Sequence, residues 1–115
     1  MVRVGVEASI LLEDIGIRAK VFDVHTLKPI NMNIYSSILI DNLPIITIEE
    51  HSKIGGLGSL ISEITEELNR PRQILRIGLP DRYDLTSDYV SLLSHHGLTP
   101  EDVCNTILKF INKSY

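Results

Sequence analysis

The chain has 115 residues, 43% of them hydrophobic and 23% charged, with 7 Gly and 5 Pro. That is enough for one core, and it excludes a catalytic domain joined to a separate substrate domain as well as disordered, collagen-like and coiled-coil classes. Asp and Glu total 15 against 11 Lys and Arg, a net charge of -4, which argues against nucleic acid as a partner because phosphate binding needs clustered basic residues. The single cysteine, Cys104, excludes an internal disulfide and a multi-cysteine zinc site. With no apolar run of the roughly 18 residues a membrane span needs, and no signal-peptide pattern after Met1, a cytoplasmic protein with no membrane partner is expected.

Val4, Ala8, Leu11, Leu12 and Ile15 recur at helical spacing ahead of Gly16, a residue suited to a left-handed cap, and predict a first helix. Residues 18–24 carry Ala19, Val21, Phe22 and Val24 and predict a strand, followed by the turn at Lys28-Pro29. Asn31 is placed to cap a short helix with Ile34 and Ile38 on one side. Residues 44–48 are β-branched with almost no alternation, as in a strand buried on both faces, and Glu49-Glu50-His51 end the run. After Gly55-Gly56-Leu57-Gly58, the positions Leu57, Leu60, Ile61, Ile64 and Leu68 make the best amphipathic helix of the chain, which stops before Pro71. Residues 73–77 predict another strand, and Gly78 and Pro80 open the loop beyond it. A helix over about residues 87–96 is expected to bury Val90 and Leu93 and to close at Gly97. Thr99-Pro100-Glu101-Asp102 then supplies a capping hydroxyl, a proline at the first helical position and two acids at the positive end of the dipole. Val103, Ile107, Phe110 and Ile111 continue that last helix as an apolar stripe.

Strands alternating with helices build parallel sheets through right-handed crossovers. The expected fold is therefore α/β, a three-layer sandwich with a mainly parallel sheet of three to five strands. Such an order normally opens with a strand, yet the helical pattern starts almost at Met1. Either residues 1–4 form a stub of strand, or the chain is a fragment whose first strand lies outside it; the second is preferred.

In open parallel sheets, binding groups gather at the carboxyl ends of strands. Three polar clusters fall there: residues 23–28, the Glu49-Glu50-His51 run with Gly55-Gly56, and Asp81-Arg82. A helix starting near Gly58 would aim free N–H groups at the same crevice and, with Lys28, His51 and Arg82, could hold an anion; a tight turn with solvated charges is the plainer reading. Glu50 and His51 are neighbours on a strand and point opposite ways, so they do not make a base and its orienter. No metal is expected, since His25, His51 and an acid match no standard zinc spacing. His95-His96 suit the last turn of a helix, Cys104 suits a core, and Ser36 and Ser59 lack the setting of an activated serine.

Taken together, residues 7–17, Asp23-Val24-His25-Thr26-Leu27-Lys28-Pro29, Thr47-Ile48-Glu49-Glu50-His51-Ser52-Lys53-Ile54-Gly55-Gly56-Leu57-Gly58-Ser59, Ile77-Gly78-Leu79-Pro80-Asp81-Arg82-Tyr83 and Gly97-Leu98-Thr99-Pro100-Glu101-Asp102-Val103 resemble the C-terminal domain of transketolase. The resemblance spans nearly the whole chain as one domain. Deoxyxylulose-phosphate synthases and the β subunits of 2-oxoacid dehydrogenases, also thiamine enzymes, share several of these blocks. Asp84 and Ser87 stand where family members commonly carry glycines, and the resemblance implies a missing beginning, since family members have a strand and a Gly-Ser turn before the first helix.

The resemblance implies an accessory domain of an enzyme moving two-carbon ketol units between sugar phosphates, the chemistry of the pentose phosphate pathway. It would support domain packing and dimerisation. Thiamine diphosphate and a divalent metal belong to the parent enzyme's other two domains. This chain alone is expected to bind neither, to have no catalytic residues and to be inactive. Its partners would be the N-terminal and middle parts of the parent transketolase and further copies of itself. His25, Lys28, Glu50, His51, Gly55, Gly56, Asp81 and Arg82 map onto a strand-end crevice that is a candidate effector or anion site. The alternatives are the C-terminal domain of one of the related thiamine enzymes, or a free-standing domain that binds an anion or a partner and regulates without chemistry.

Overall fold

The computed structural model describes residues 1–25, 27–80 and 88–114. In chain order the elements are α1 (Val2–Asp14), α2 (Met32–Ile38), β1 (Ile45–Ser52), α3 (Leu57–Glu67), β2 (Ile74–Leu79), α4 (Tyr89–His95) and α5 (Pro100–Ser114). β1 and β2 pair in parallel, with Ile45 opposite Ile74, Thr47 opposite Arg76 and Ile48 opposite Ile77. Parallel neighbours need a long crossover, and α3 provides it.

The two-residue period of the strands divides their side chains between two cores. Ile46, Ile48, Leu75, Ile77 and Leu79 pack with Val4, Ala8 and Leu12 of α1 and with Val103, Cys104 and Ile107 of α5. Ile45 and Ile74 pack on the other face with Tyr35 and Leu39 at α2 and with Ile61 and Ile64 of α3. The result is the expected three-layer α/β arrangement around a parallel sheet, and Cys104 is a core residue.

Most helix ends follow their sequence signals. Asn31 accepts hydrogen bonds from the N–H groups of Asn33 and Ile34 at 3.2 and 3.4 Å. Thr99 Oγ1 accepts from the Asp102 N–H and donates to the Asp102 carboxylate at 2.6 Å, a closed cap at the start of α5. Gly16 and Gly97 have φ of 87° and 66°, as their capping places require.

Three expectations are corrected. The sheet has two strands among the described residues, not three to five, because residues 18–24 join no ladder. Val21 and Phe22 of that stretch are exposed, so no layer packs over them, whereas Val24 packs against the core of α2 and α3. The stretch lies against α1, where a Cβ on Gly5 would be 3.7 Å from both Val21 and Ile48, and Lys20 pairs with Asp41 at 2.7 Å. The strand stub over residues 1–4 is replaced by helix, since Met1 is the N-cap of α1 and the burial of Val4, Ala8 and Leu12 is helical from the start. Val90 is 71% exposed instead of buried, because α4 is only two turns long and packs on the core through Leu93.

Candidate functional site

The carboxyl end of β1 carries the polar groups. Thr47 and Glu49 project to the α3 side of the sheet, and Glu49 is only 8% exposed. Its carboxylate accepts two backbone hydrogen bonds from the first turn of α3, from Leu57 N–H to Oε2 at 2.6 Å and from Gly58 N–H to Oε1 at 2.8 Å. N–H groups in a helix's first turn have no intrahelical partner, and the dipole makes that end positive. An acid buried there is satisfied on both counts, with charge-assisted bonds stronger than neutral ones.

The glycines around this contact have separate physical roles. Gly55, at φ 75°, makes the turn and donates its N–H to Ser59 Oγ at 3.0 Å. Gly56 is the N-cap with φ -95°, an ordinary value, but a Cβ there would collide with the Glu49 carboxylate. A Cβ on Gly58 would lie 2.8 and 2.9 Å from Arg76 Cδ and Cγ and 2.9 Å from Thr47 Oγ1. The Arg76 side chain uses that space to reach α3, donating to Ser59 Oγ at 3.3 Å and to Ser62 Oγ at 2.6 Å. The turn is thus held to both strands, to β1 through Glu49 and to β2 through Arg76.

Of the residues singled out in the sequence, Glu50, His51, Gly55 and Gly56 are brought together at this strand-to-helix turn. Glu50 is half-buried; hydrogen bonding toward its carboxylate, then desolvation and the Glu50 charge, hold the Tyr89 phenol of α4 above its ordinary pKa, and the Arg3 charge opposes this. His51 is exposed. His25 and Lys28 are exposed on the separate connection between α1 and α2, where Lys28-Pro29 is a cis peptide. Asp81 and Arg82 lie outside the described residues. The N–H groups of Leu57 and Gly58, read from sequence as free to receive an external anion, are taken by Glu49. Sequence reasoning placed Glu49 in the polar run but gave it no role of its own; its signal was a carboxylate ending an apolar strand, two residues from Thr47 and a short turn before a helix.

Residues 1–103 match the family described as "Transketolase, C-terminal domain". The chain belongs to this family. Its resemblance to one of the subunits of apulose-4-phosphate transketolase from Phocaeicola vulgatus amounts to 35% identity over 107 residues, covering 93% of this chain and 34% of that one. With 1-deoxy-D-xylulose-5-phosphate synthase of Chlorobium luteolum it is 34% identical over 110 residues, 96% of this chain and 17% of the relative. A solved structure described as a split gene transketolase, inactive beta4 tetramer, superposes with a TM-score of 0.82 at 33% identity, covering 96% of this chain and 35% of that one. The chain therefore spans about a third or less of the length of these relatives.

Transketolase-family relatives imply thiamine diphosphate in a parent enzyme. The described residues of this C-terminal domain do not fit that group. No three His, Cys, Asp or Glu side chains among them converge as metal ligands, and the helix end that could receive a diphosphate is filled by Glu49. No helix among them is long and apolar enough to cross a membrane.

Gly58→Ala is expected to lower stability by about 1–3 kcal/mol in denaturant unfolding, as overpacking does. The cost should shrink but not vanish in an Arg76→Ala background, because the added Cβ meets both the Arg76 stem and Thr47 Oγ1. For Tyr89, the raised pKa means that the bond to Glu50 contributes below the usual tyrosine range and is lost as pH rises through the folded value. Ultraviolet titration of the wild type minus Tyr89→Phe should show one phenol ionising above the others. Its coincidence with the other tyrosines would contradict the bond, and Glu50→Gln should remove most of the shift.

Proposed function

We propose that this chain is the accessory C-terminal module of a transketolase-type enzyme that transfers two-carbon ketol units between sugar phosphates. The module contributes packing and assembly, and the chemistry belongs to companion parts that carry thiamine diphosphate and a divalent metal. The observation that carries this reading is the internal occupation of the α3 N-terminus. The strongest anion-holding feature of the strand-end turn serves the fold, which leaves the turn without a vacant position for a phosphorylated cofactor. The names of the relatives support a divided enzyme, one naming a single subunit of a transketolase and another a split gene.

The outer face of α1 supports the assembly role. Val2, Val6 and Ile10 repeat every fourth residue and are all exposed, a row of the kind that protein interfaces cover. β1 is paired on one edge only among the described residues, which leaves backbone groups for another strand. Association with companion parts and with further copies of this chain follows. The strand-end turn with Glu50, His51, Gly55 and Gly56 remains the place for an effector in this reading, and not the α3 N-terminus. A second reading, the C-terminal domain of a deoxyxylulose-phosphate synthase, is favoured by the comparable identity to that enzyme.

Reconstitution tests the proposal. The chain alone should give no turnover, and adding it to the cofactor-bearing parts should change their assembly or their ketol-transfer rate. If those parts are equally active and equally assembled without it, the accessory role is wrong; if the mixture yields only deoxyxylulose phosphate, the second reading replaces the first. In light scattering the isolated chain should self-associate with rising concentration, and Val6→Glu with Ile10→Glu should reduce this. A strictly monomeric wild type over a wide range would contradict it.

A further inference from the structure

Away from the strand-end turn, the outer flank of α3 and the start of β2 enclose a groove of about 450 Å³, lined by Ser62, Thr65, Glu66, Asn69, Arg72 and Arg76 among others. Its size is within the range of small-molecule sites, roughly 300–1,000 Å³. Two guanidinium groups border it from different elements. Arg76 extends from β2 over Gly58 and is held by the hydroxyls of Ser59 and Ser62. Arg72, in the approach to β2, donates from Nη2 to the Leu39 carbonyl at 2.9 Å and from Nη1 to the Pro71 carbonyl at 3.0 Å, while its Nε is buried with no partner.

All of these acceptors are neutral. Among the described residues neither arginine has a carboxylate within 4 Å, and the ion pairs are Arg3–Glu7 and Lys20–Asp41. Glu66 is exposed and lines the groove, but it is not paired with either arginine. This is unusual in an acidic chain, since a half-buried guanidinium ordinarily binds a carboxylate or phosphate through its planar fork. The sequence concentrates the effect. Arg70, Arg72 and Arg76 are three of the 11 basic residues, and residues 69–80 contain no acid.

We propose that this groove binds the phosphate group of a small anion, with Arg72 and Arg76 as its charged donors. The two positive charges outweigh the single exposed carboxylate of Glu66, whose repulsion is screened by solvent and salt. The site is distinct from the strand-end turn and does not depend on the accessory role. Its ligand has two sources, free phosphate or a phosphorylated metabolite, with the same recognised group.

Titration calorimetry of the full chain at constant ionic strength tests this, with inorganic phosphate and glycerol phosphate as probes and chloride as the control. Saturable binding is expected for the phosphate compounds and none for chloride. Tighter binding of the monoester identifies a phosphorylated metabolite as the source, and equal binding identifies free phosphate. Arg72→Gln, with its fold checked by circular dichroism, should weaken binding about tenfold, the loss of one charged bond of about 1.4 kcal/mol. Arg76→Lys keeps the charge, loses the fork and should weaken binding as well. Arg70→Gln, outside the groove lining, should leave it unchanged. Absence of saturable binding by the wild type, or equal weakening by Arg70→Gln and Arg72→Gln, would overturn the site; the second result would mark a diffuse charge effect.

Discussion

The Glu49 carboxylate on the first turn of α3 is the contact around which the described structure is arranged. A buried acid costs free energy unless its oxygens are bonded, and a buried helix start costs free energy unless its N–H groups are bonded. Each solves the other's problem. The pairing fixes where α3 begins relative to the end of β1, and so fixes the crossover to β2. The Gly56 and Gly58 positions follow from it, because the acid approaches the backbone where a side chain would stand, and the Arg76 stem crosses the next turn.

From that fixed crossover the two cores follow. β1 and β2 are buried on both faces, so alternate residues of the same strand serve different layers: Ile46 and Ile48 face α1 and α5, whereas Ile45, Thr47 and Glu49 face α2 and α3. Thr47, 3% exposed, leaves its hydroxyl without a hydrogen bond beneath the Gly58 turn. The closeness of Thr47, Gly58 and Arg76 shows that α3 rests on the sheet by backbone at this end and by Ile61 and Ile64 farther along. The family's domain can therefore keep its layers together with only two paired strands among the residues described.

The helices were the most legible part of the sequence, since period and cap chemistry act within a few residues. Asn31, Thr99, Gly16 and Gly97 do what their types and places indicate. The strand over residues 18–24 was misread because β-branched composition reports fitness for a half-buried surface, and no layer covers Val21 or Phe22. Val90 was misread for a related reason: periodicity marks a face but not whether anything packs on it. At the candidate site, composition marked the turn but not its wiring. Glu50 was singled out and Glu49 was not, because strand alternation separates neighbours without saying which face holds the helix start. Within the glycine-rich run only Gly55 needs a left-handed backbone, and Gly56 and Gly58 provide space. Arg72 and Arg76 form no motif and meet only when β2 and α3 are folded together.

The irregularity at the end of β1 reaches both outer layers. Ile48 lies opposite Ile77 and Ser52 opposite Leu79, so β1 spends four residues where β2 spends two. Within that stretch strand alternation turns adjacent residues to opposite sides, Glu49 to the start of α3 and Glu50 toward Tyr89 on α4. Two helices on different faces are thus tethered to neighbouring positions across one peptide unit. The same short stretch of main chain therefore meets one helix on each side of the sheet.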